Sequence, residues 1–257
     1  MIFDLDGEKM NLLVCVSRVP DTATKIFVGP DGKTIDSKGV KYILNPYDEF
    51  ALEEAIRLKE KNGGEVTALT VSADDATDIL RNALAMGADS AIFIKAPAEP
   101  DSYQVAHNIA NSVKDKNFDL IFFGRQSVDF DSFQIPSMVA ELLNIPSVSV
   151  VSKLEVNGSK VIAERDIEGG KETVELSTPC AISAQKGLNE PRYPKLPDIM
   201  KAKKKPIEEV AFFQVDAAVE VISIALPVNK RVGKILGDSD SDINEIVRSL
   251  HEDAKVI

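Results

Sequence analysis

The stretch E-V-T-A-L-T-V-S-A-D-D-A-T-D-I-L-R-N-A-L-A-M-G-A-D-S-A-I-F-I, Glu65 to Ile94, decides the fold class. Glu65 to Ser72 is an apolar run with β-branched side chains, as expected of a strand covered on both faces. A helix follows from Ala76 to Met86 and is closed by Gly87, and a second strand runs from Ser90 to Ile94. Strand, helix and strand joined by a few residues form the unit of a parallel sheet, because a right-handed crossover returns the second strand beside the first.

The alternation continues in both directions. Upstream, N-L-L-V-C-V-S (Asn11 to Ser17) predicts a central strand that ends in the loop R-V-P-D-T. Ile26 to Val28, the turn Pro30-Asp31-Gly32 and Lys33 to Asp36 read as a β-hairpin. The loop L-N-P-Y leads into an amphipathic helix from Asp48 to Lys61, whose Glu53-Glu54 pair reads as a solvated face. Downstream come a helix from Tyr103 to Lys114, a strand from Asp119 to Gly124 and a helix from Gln134 to Leu143. After Pro146 the runs Val148 to Leu154, Val161 to Asp166, Glu172 to Leu176 and Cys180 to Ala184 follow at close spacing. Turns at Asn157-Gly158 and Glu168-Gly169-Gly170 join them into an expected antiparallel extension of the sheet. A strand-like run, Ala218 to Ala225, precedes a last amphipathic helix, Asp242 to Asp253. That helix carries Ile243, Ile246, Val247 and Leu250 at helical spacing and packs on its own domain or on a partner subunit. The fold class is therefore α/β, a doubly wound and mainly parallel sheet with an antiparallel extension. Residues 1–9 are expected to be a disordered extension, 10–186 the α/β nucleotide-binding domain, 187–205 a separate loop with a basic helix, and 206–257 a C-terminal arm.

Composition narrows the function. In 257 residues the net charge is -11, with 44% hydrophobic and 28% charged residues, which describes a globular chain with a sizeable core. An acidic balance disfavours nucleic acid as a partner. No apolar run approaches the roughly 20 residues of a membrane span, so no membrane insertion is expected. No signal or transit peptide is seen at the start, and a cytoplasmic location is the expectation. The string F-D-L-D-G (Phe3 to Gly7) looks like the nucleophile motif of haloacid dehalogenase phosphatases. Glu8 stands where Thr or Val belongs and only three residues precede Asp4, so that reading is rejected. Cys15 and Cys180 lie in apolar runs and read as buried thiols. His107 and His251 stand apart from any C-x-x-C or H-E-x-x-H pattern, and no metal site is expected.

Ligands of such sheets bind at the carboxyl ends of the strands. The loop G-R-Q-S-V-D-F-D-S-F-Q-I-P, Gly124 to Pro136, is the main candidate there. Its glycine lets backbone approach a ligand, and a helix N-terminus suits a phosphate. Asp129 and Asp131 suit ribose hydroxyls or helix capping, and Ser132 and Gln134 stand at the helix start. Capping alone explains the loop almost as well. Neither G-x-G-x-x-G nor G-x-x-x-x-G-K-[ST] occurs.

The stretch G-L-N-E-P-R-Y-P-K-L-P-D-I-M-K-A-K-K-K, Gly187 to Lys205, stands outside the alternation. Its prolines make Leu188 to Leu196 a stiff loop, and Asp198 can cap a helix beginning at Ile199. Leu188, Tyr193, Leu196, Ile199 and Met200 are too apolar for a linker in water, and Lys201 to Lys205 form a basic cluster.

Leu188 to Lys205 resembles the recognition loop of the electron transfer flavoprotein β subunit. V-x-V-x-R-V-P-D (Val14 to Asp21), N-P-Y-D-E-F-A-L-E-E-A-I-R-L-K-E (Asn45 to Glu60), A-L-A-M-G-A-D (Ala83 to Asp89), G-x-Q-x-x-D-x-D (Gly124 to Asp131) and E-R-D-I-E-G-G (Glu164 to Gly170) are similar to that family in its order. The resemblance implies an adenine nucleotide alpha hydrolase-like fold, with structural AMP in this subunit and the redox-active FAD held mainly by an α subunit. It sets AMP against Cys15, Asn45, Ala73, Gly124, Gln126 and the run Asp129, Asp131, Ser132, Phe133, Gln134 and Ile135. It gives Asp166 a contact with the flavin domain and makes the tail embrace the α subunit. Leu188, Tyr193, Leu196, Ile199, Met200 and Lys201 would dock acyl-CoA dehydrogenases, with Leu196 as anchor, and electrons would pass on to an electron transfer flavoprotein–quinone oxidoreductase. The chain itself would be an electron-carrier subunit without catalytic residues. Relatives that bifurcate electrons hold a second FAD in place of AMP and usually read D-G-D-T-A-Q-V-G. Here Phe130 and Phe133 stand at the glycine and alanine of that pattern and would crowd an added flavin. The bifurcating type is the alternative. A nucleotide-binding module of the universal-stress type shares the alternation but gives no reason for the Leu188 to Lys205 loop.

Overall fold

A computed structural model describes residues 9–227 and 233–257. The phosphatase-like string at Phe3 to Gly7 and most of the expected extension lie outside the described residues. Nine strands form one sheet, in the order β11-β5-β4-β1-β6-β10-β7-β8-β9. Its strands are β1 (Met10–Cys15), β4 (Gly64–Ser72), β5 (Ser90–Lys95), β6 (Leu120–Gly124), β7 (Ser147–Asn157), β8 (Lys160–Ile167), β9 (Gly170–Ser177), β10 (Cys180–Ala184) and β11 (Ile207–Ala211). A two-stranded antiparallel ribbon, β2 (Arg18–Pro20) with β3 (Tyr42–Leu44), stands apart from it.

Helices cover both faces, as the alternation predicts. On one side, α1 (Pro46–Asn62) and α2 (Thr77–Met86) bury Leu52, Ile56, Ile79 and Leu80 against Leu12 and Val14 of β1. On the other, α3 (Ser102–Val113) and α4 (Ile135–Leu143) set Ile109 and Val139 against Leu13, Cys15 and Ile121. The alternation of β1 explains this division, because successive side chains of a strand leave by opposite faces.

The sheet departs from the sequence reading in its second half. Only β7, β8 and β9 form the antiparallel extension, while β10 lies between β6 and β7 and runs parallel to both. All five residues of β10 are buried, whereas β9 alternates between half-buried and exposed positions. A uniformly apolar strand belongs at the centre of a parallel sheet and an alternating one at a half-covered margin.

Four smaller expectations also change. The hairpin of residues 26–36 shrinks to one bridge between Val28 and Ile35, with Asp31 accepting from the Lys33 and Thr34 amides. Ala218 to Ala225 forms no strand and is largely exposed. An edge strand, β11, pairs in parallel with β5, and its adjacent Glu208 and Glu209 hid it from the apolar pattern. The final helix is α6 (Asp240–Arg248), capped by Ser239, which passes into a π turn at Ser249–Asp253.

Asp48 joins this framework at its centre. Its carboxylate accepts from the Ser17 amide at 2.7 Å and from the Gly124 amide at 3.1 Å, tying the start of α1 to the ends of β1 and β6. The N-terminal end of a helix is where a carboxylate is favoured. Close approach leaves no room at position 124, where a Cβ would stand 2.7 Å from the Asp48 backbone nitrogen and meet its carboxylate. Glycine there serves packing against α1. Gly124→Ala is expected to cost about 1–3 kcal/mol through overpacking, seen as a lowered urea midpoint with unchanged slope; an unaltered midpoint would contradict this account.

Candidate functional site

A cleft opens at the carboxyl ends of β1, β4 and β6, where a doubly wound sheet binds its ligands. Cys15, Gly124, Gln126, Ser132 and Ile135 line it, as the sequence suggests. Ser17, Asp48, Val71, Val105 and Phe123 join them without having been singled out. Cys15 is buried, and burial followed by the nearby Asp48 charge pushes its thiol well above its ordinary value, so it serves as an apolar wall. Burial pushes Asp48 up to about 7, against the hydrogen bonds that favour its charged form.

The other expected residues surround the cleft. Asn45 is wholly buried, and its side chain donates to the Gln126 carbonyl at 2.9 Å and accepts from the Val128 amide at 3.3 Å. It therefore shapes the loop from beneath. Ala73 follows β4 at the rim and is half-buried. Asp131 adopts a left-handed backbone and accepts from the Gln126 side chain, while Asp129 accepts from the Phe130 amide at 2.8 Å. Phe130 is 64% exposed, and neither it nor Phe133 lines the cleft.

Capping does not account for the loop. The N-cap of α4 is Gln134, whose side chain makes no capping bond and donates to Ser102 Oγ at 2.9 Å. The first-turn amide donors of α4 thus have no side-chain cap, the condition under which a helix start binds an anion. Two buried atoms in the loop lack a partner, Gln126 Oε1 and Arg125 Nε. Arg125 sits between the rings of Tyr47 and Phe133, 5.6 and 4.9 Å from their centroids, and donates to Gln185 at 3.3 Å. Sequence reasoning passed over it, although it is the one cation between Gly124 and Pro136. The orphan acceptor suits a hydroxyl and the uncapped helix start suits a phosphate, whereas Arg125 does not line the cleft. The donor set therefore fits a nucleotide. The closed part of the cleft is about 50 Å³, well below the roughly 300 Å³ at which ligand pockets begin. A nucleotide seated there must move loop side chains.

A second surface rises from the end of β10. Tyr193 is 93% and Leu196 73% exposed, with Met200 and Ile199 beside them. Leu188 turns the other way and packs against the core under α1. The helix here, α5 (Leu196–Ala202), begins three residues earlier than expected and has Lys195 as its N-cap, so Asp198 lies in the first turn and caps nothing. Asp198 pairs instead with Lys201 at 3.4 Å. Lys203 and Lys204 are exposed. Lys205 turns inward to the carbonyls of Leu84 and Ala88, and burial lowers its pKa.

The Glu53-Glu54 pair is buried, contrary to the solvated face expected of it. Glu53 holds Arg192 and Arg57, and Glu54 accepts from Asn189 at 2.9 Å. Asp166 stands exposed near the end of β8, with Lys171 at 4.0 Å. Among the described residues no group of acidic, histidine and cysteine side chains could hold a metal, and no helix is long and apolar enough to cross a membrane. Along α6, Ile243, Ile246 and Val247 are exposed, as is Leu250 in the π turn.

The family model described as the electron transfer flavoprotein domain matches residues 32–214. The chain is 45% identical to the electron transfer flavoprotein subunit beta of Bacillus subtilis (strain 168), over 96% of this chain and 100% of that protein. It is 41% identical to the subunit of the same name from Mus musculus, over 88% of this chain and 92% of that protein. A mitochondrial subunit beta from Oryza sativa subsp. japonica is 37% identical, over 96% of this chain and 100% of that protein. With the recognition-loop motif standing exposed beyond a doubly wound sheet, these matches lead to one conclusion: the chain belongs to the electron transfer flavoprotein family, as a β subunit.

Proposed function

We propose that this β subunit binds AMP in the cleft at the ends of β1, β4 and β6, braces the FAD domain of an α subunit, and docks acyl-CoA dehydrogenases through Leu196. The observation that carries the reading is the pairing of an uncapped α4 start and the orphan Gln126 Oε1 at one site with the exposed Leu196 at another. FAD bound to the α subunit supplies the redox chemistry. This chain's residues bind, position and exclude water. In the cleft, α4's first-turn amides would face the phosphate, and Gln126 would take a ribose hydroxyl.

AMP is preferred to a second FAD because the smaller ligand displaces fewer loop side chains from a cleft whose closed part is about 50 Å³. Non-bifurcating transfer follows from that choice, with a quinone oxidoreductase as the acceptor. Asp166, exposed on the extension, is free to meet a mobile flavin domain. The exposed faces of α6 and of the arm at Val219, Val221 and Ile222 supply apolar surface for the α subunit.

At the docking loop, a protruding leucine ringed by near-neutral contacts has the form of a small hot spot worth about 2 kcal/mol. The exposed Lys201, Lys203 and Lys204 would steer acidic partners.

Two measurements test this. Denaturing the purified heterodimer is expected to release one FAD and one AMP, and release of two FAD without AMP would replace the reading by the bifurcating one. Leu196→Ala in the heterodimer is expected to raise the KM for reduction by an acyl-CoA dehydrogenase about tenfold or more, with flavin content unchanged. Loss of flavin instead would show that the loop is a structural element.

A further inference from the structure

We propose that Arg192 is a positioning residue that presents Leu196, by locking the docking loop onto two carboxylates of α1. The inference rests on the docking role proposed above and adds the group that makes the loop rigid.

The geometry is that of a fork closed on two partners. Arg192 Nε donates to Glu53 Oε2 at 2.8 Å and Nη2 to Glu53 Oε1 at 3.1 Å, while the Arg192 backbone amide reaches the same Oε2 at 3.1 Å. Nη2 also donates to Glu60 at 2.9 Å. Glu53 is 2% exposed, so its charge depends on these bonds and on Arg57, which donates to it at 2.8 Å. Burial alone would raise the Glu53 carboxyl, but the hydrogen bonds from Arg192 and Arg57 outweigh it and hold the group below its ordinary value. Removing one member of such a pair leaves a buried charge partly unpaired.

The far end of the loop is fixed as well. Arg81 of α2 donates to the carbonyl of Ala202 at 2.6 Å and to that of Lys205, closing the end of α5. Between these anchors run Tyr193 to Met200, with Pro194 and Pro197 restricting the backbone. The exposed apolar side chains therefore sit on a short, doubly clamped span. Arg192 is separated from Leu196 by only three residues, one of them proline. A surface ordered in advance spares the complex the entropy of ordering it on contact.

The test uses the heterodimer with Arg192→Lys, Glu60→Gln and Leu196→Ala. Lysine keeps the charge but cannot fork onto two carboxylates. Arg192→Lys is expected to raise the KM for dehydrogenase-dependent reduction about fivefold, with kcat and flavin content unchanged. The double variant with Leu196→Ala should lose little more than Leu196→Ala alone, because a mispositioned anchor and an absent one are the same defect. Trypsin cleavage after Lys195 should also quicken in Arg192→Lys, a readout independent of any partner. Glu60→Gln, a change at an exposed site, should move KM and cleavage in the same direction by less, and it remains informative should Arg192→Lys assemble poorly. If Leu196→Ala weakens reduction while neither Arg192→Lys nor Glu60→Gln alters KM or cleavage, the positioning role is overturned and docking stands. If Leu196→Ala leaves KM unchanged, the docking reading fails and the positioning role with it.

Discussion

Helix α1 must keep carboxylates where water cannot reach them, and both functional surfaces hang on how that is solved. A buried charge is tolerated only with partners in good geometry. At the helix start Asp48 finds them in the amides of Ser17 and Gly124, which fixes the ends of the two strands that floor the cleft. In the middle Glu53 and Glu54 find them in Arg192, Arg57 and Asn189, which fixes the loop that carries Leu196. One helix thus sets the position of the cleft and of the exposed Leu196 loop. The strands between them are packed on the same helix, so neither surface has a soft mounting.

That arrangement suits the subunit of an electron carrier. The cleft offers the amides at the start of α4 and the orphan Gln126 Oε1, groups that recognise a ligand. Cys15, the nearest potential nucleophile, is kept neutral by its surroundings. What remains is recognition. A stiff apolar projection with exposed lysines nearby favours fast encounter and fast release, as the docking proposed for it requires.

Much of this was legible in the sequence, and what was missed has physical causes. The strand–helix periodicity from Asn11 to Leu143 declared the doubly wound sheet because each element buries a face with its own period. The position of β10 was not legible, since strands close in sequence suggest hairpins, and only the uniform burial of Cys180 to Ala184 sends that strand to the centre. β11 escaped notice because its glutamates face solvent at an edge. Several of the residues singled out do meet at one cleft, yet Gly124 proved to face Asp48, and Asn45 proved to hold the loop from below. Glu53-Glu54 looked solvated because the partners that bury it, Asn189 and Arg192, lie more than a hundred residues away in the chain.

The insertion of β10 has a consequence for how the molecule comes together. The chain leaves β6, builds the β7–β9 margin, and only then returns to fill the gap between β6 and β7. Until Cys180 to Ala184 arrives, β6 has an open edge at the middle of the future sheet, the kind of unpaired apolar edge that seeks other strands. Closing that gap depends on contacts distant in sequence, which form slowly. The docking loop is the next segment after the closing strand, so a correctly presented Leu196 exists only on a chain whose central gap has been filled.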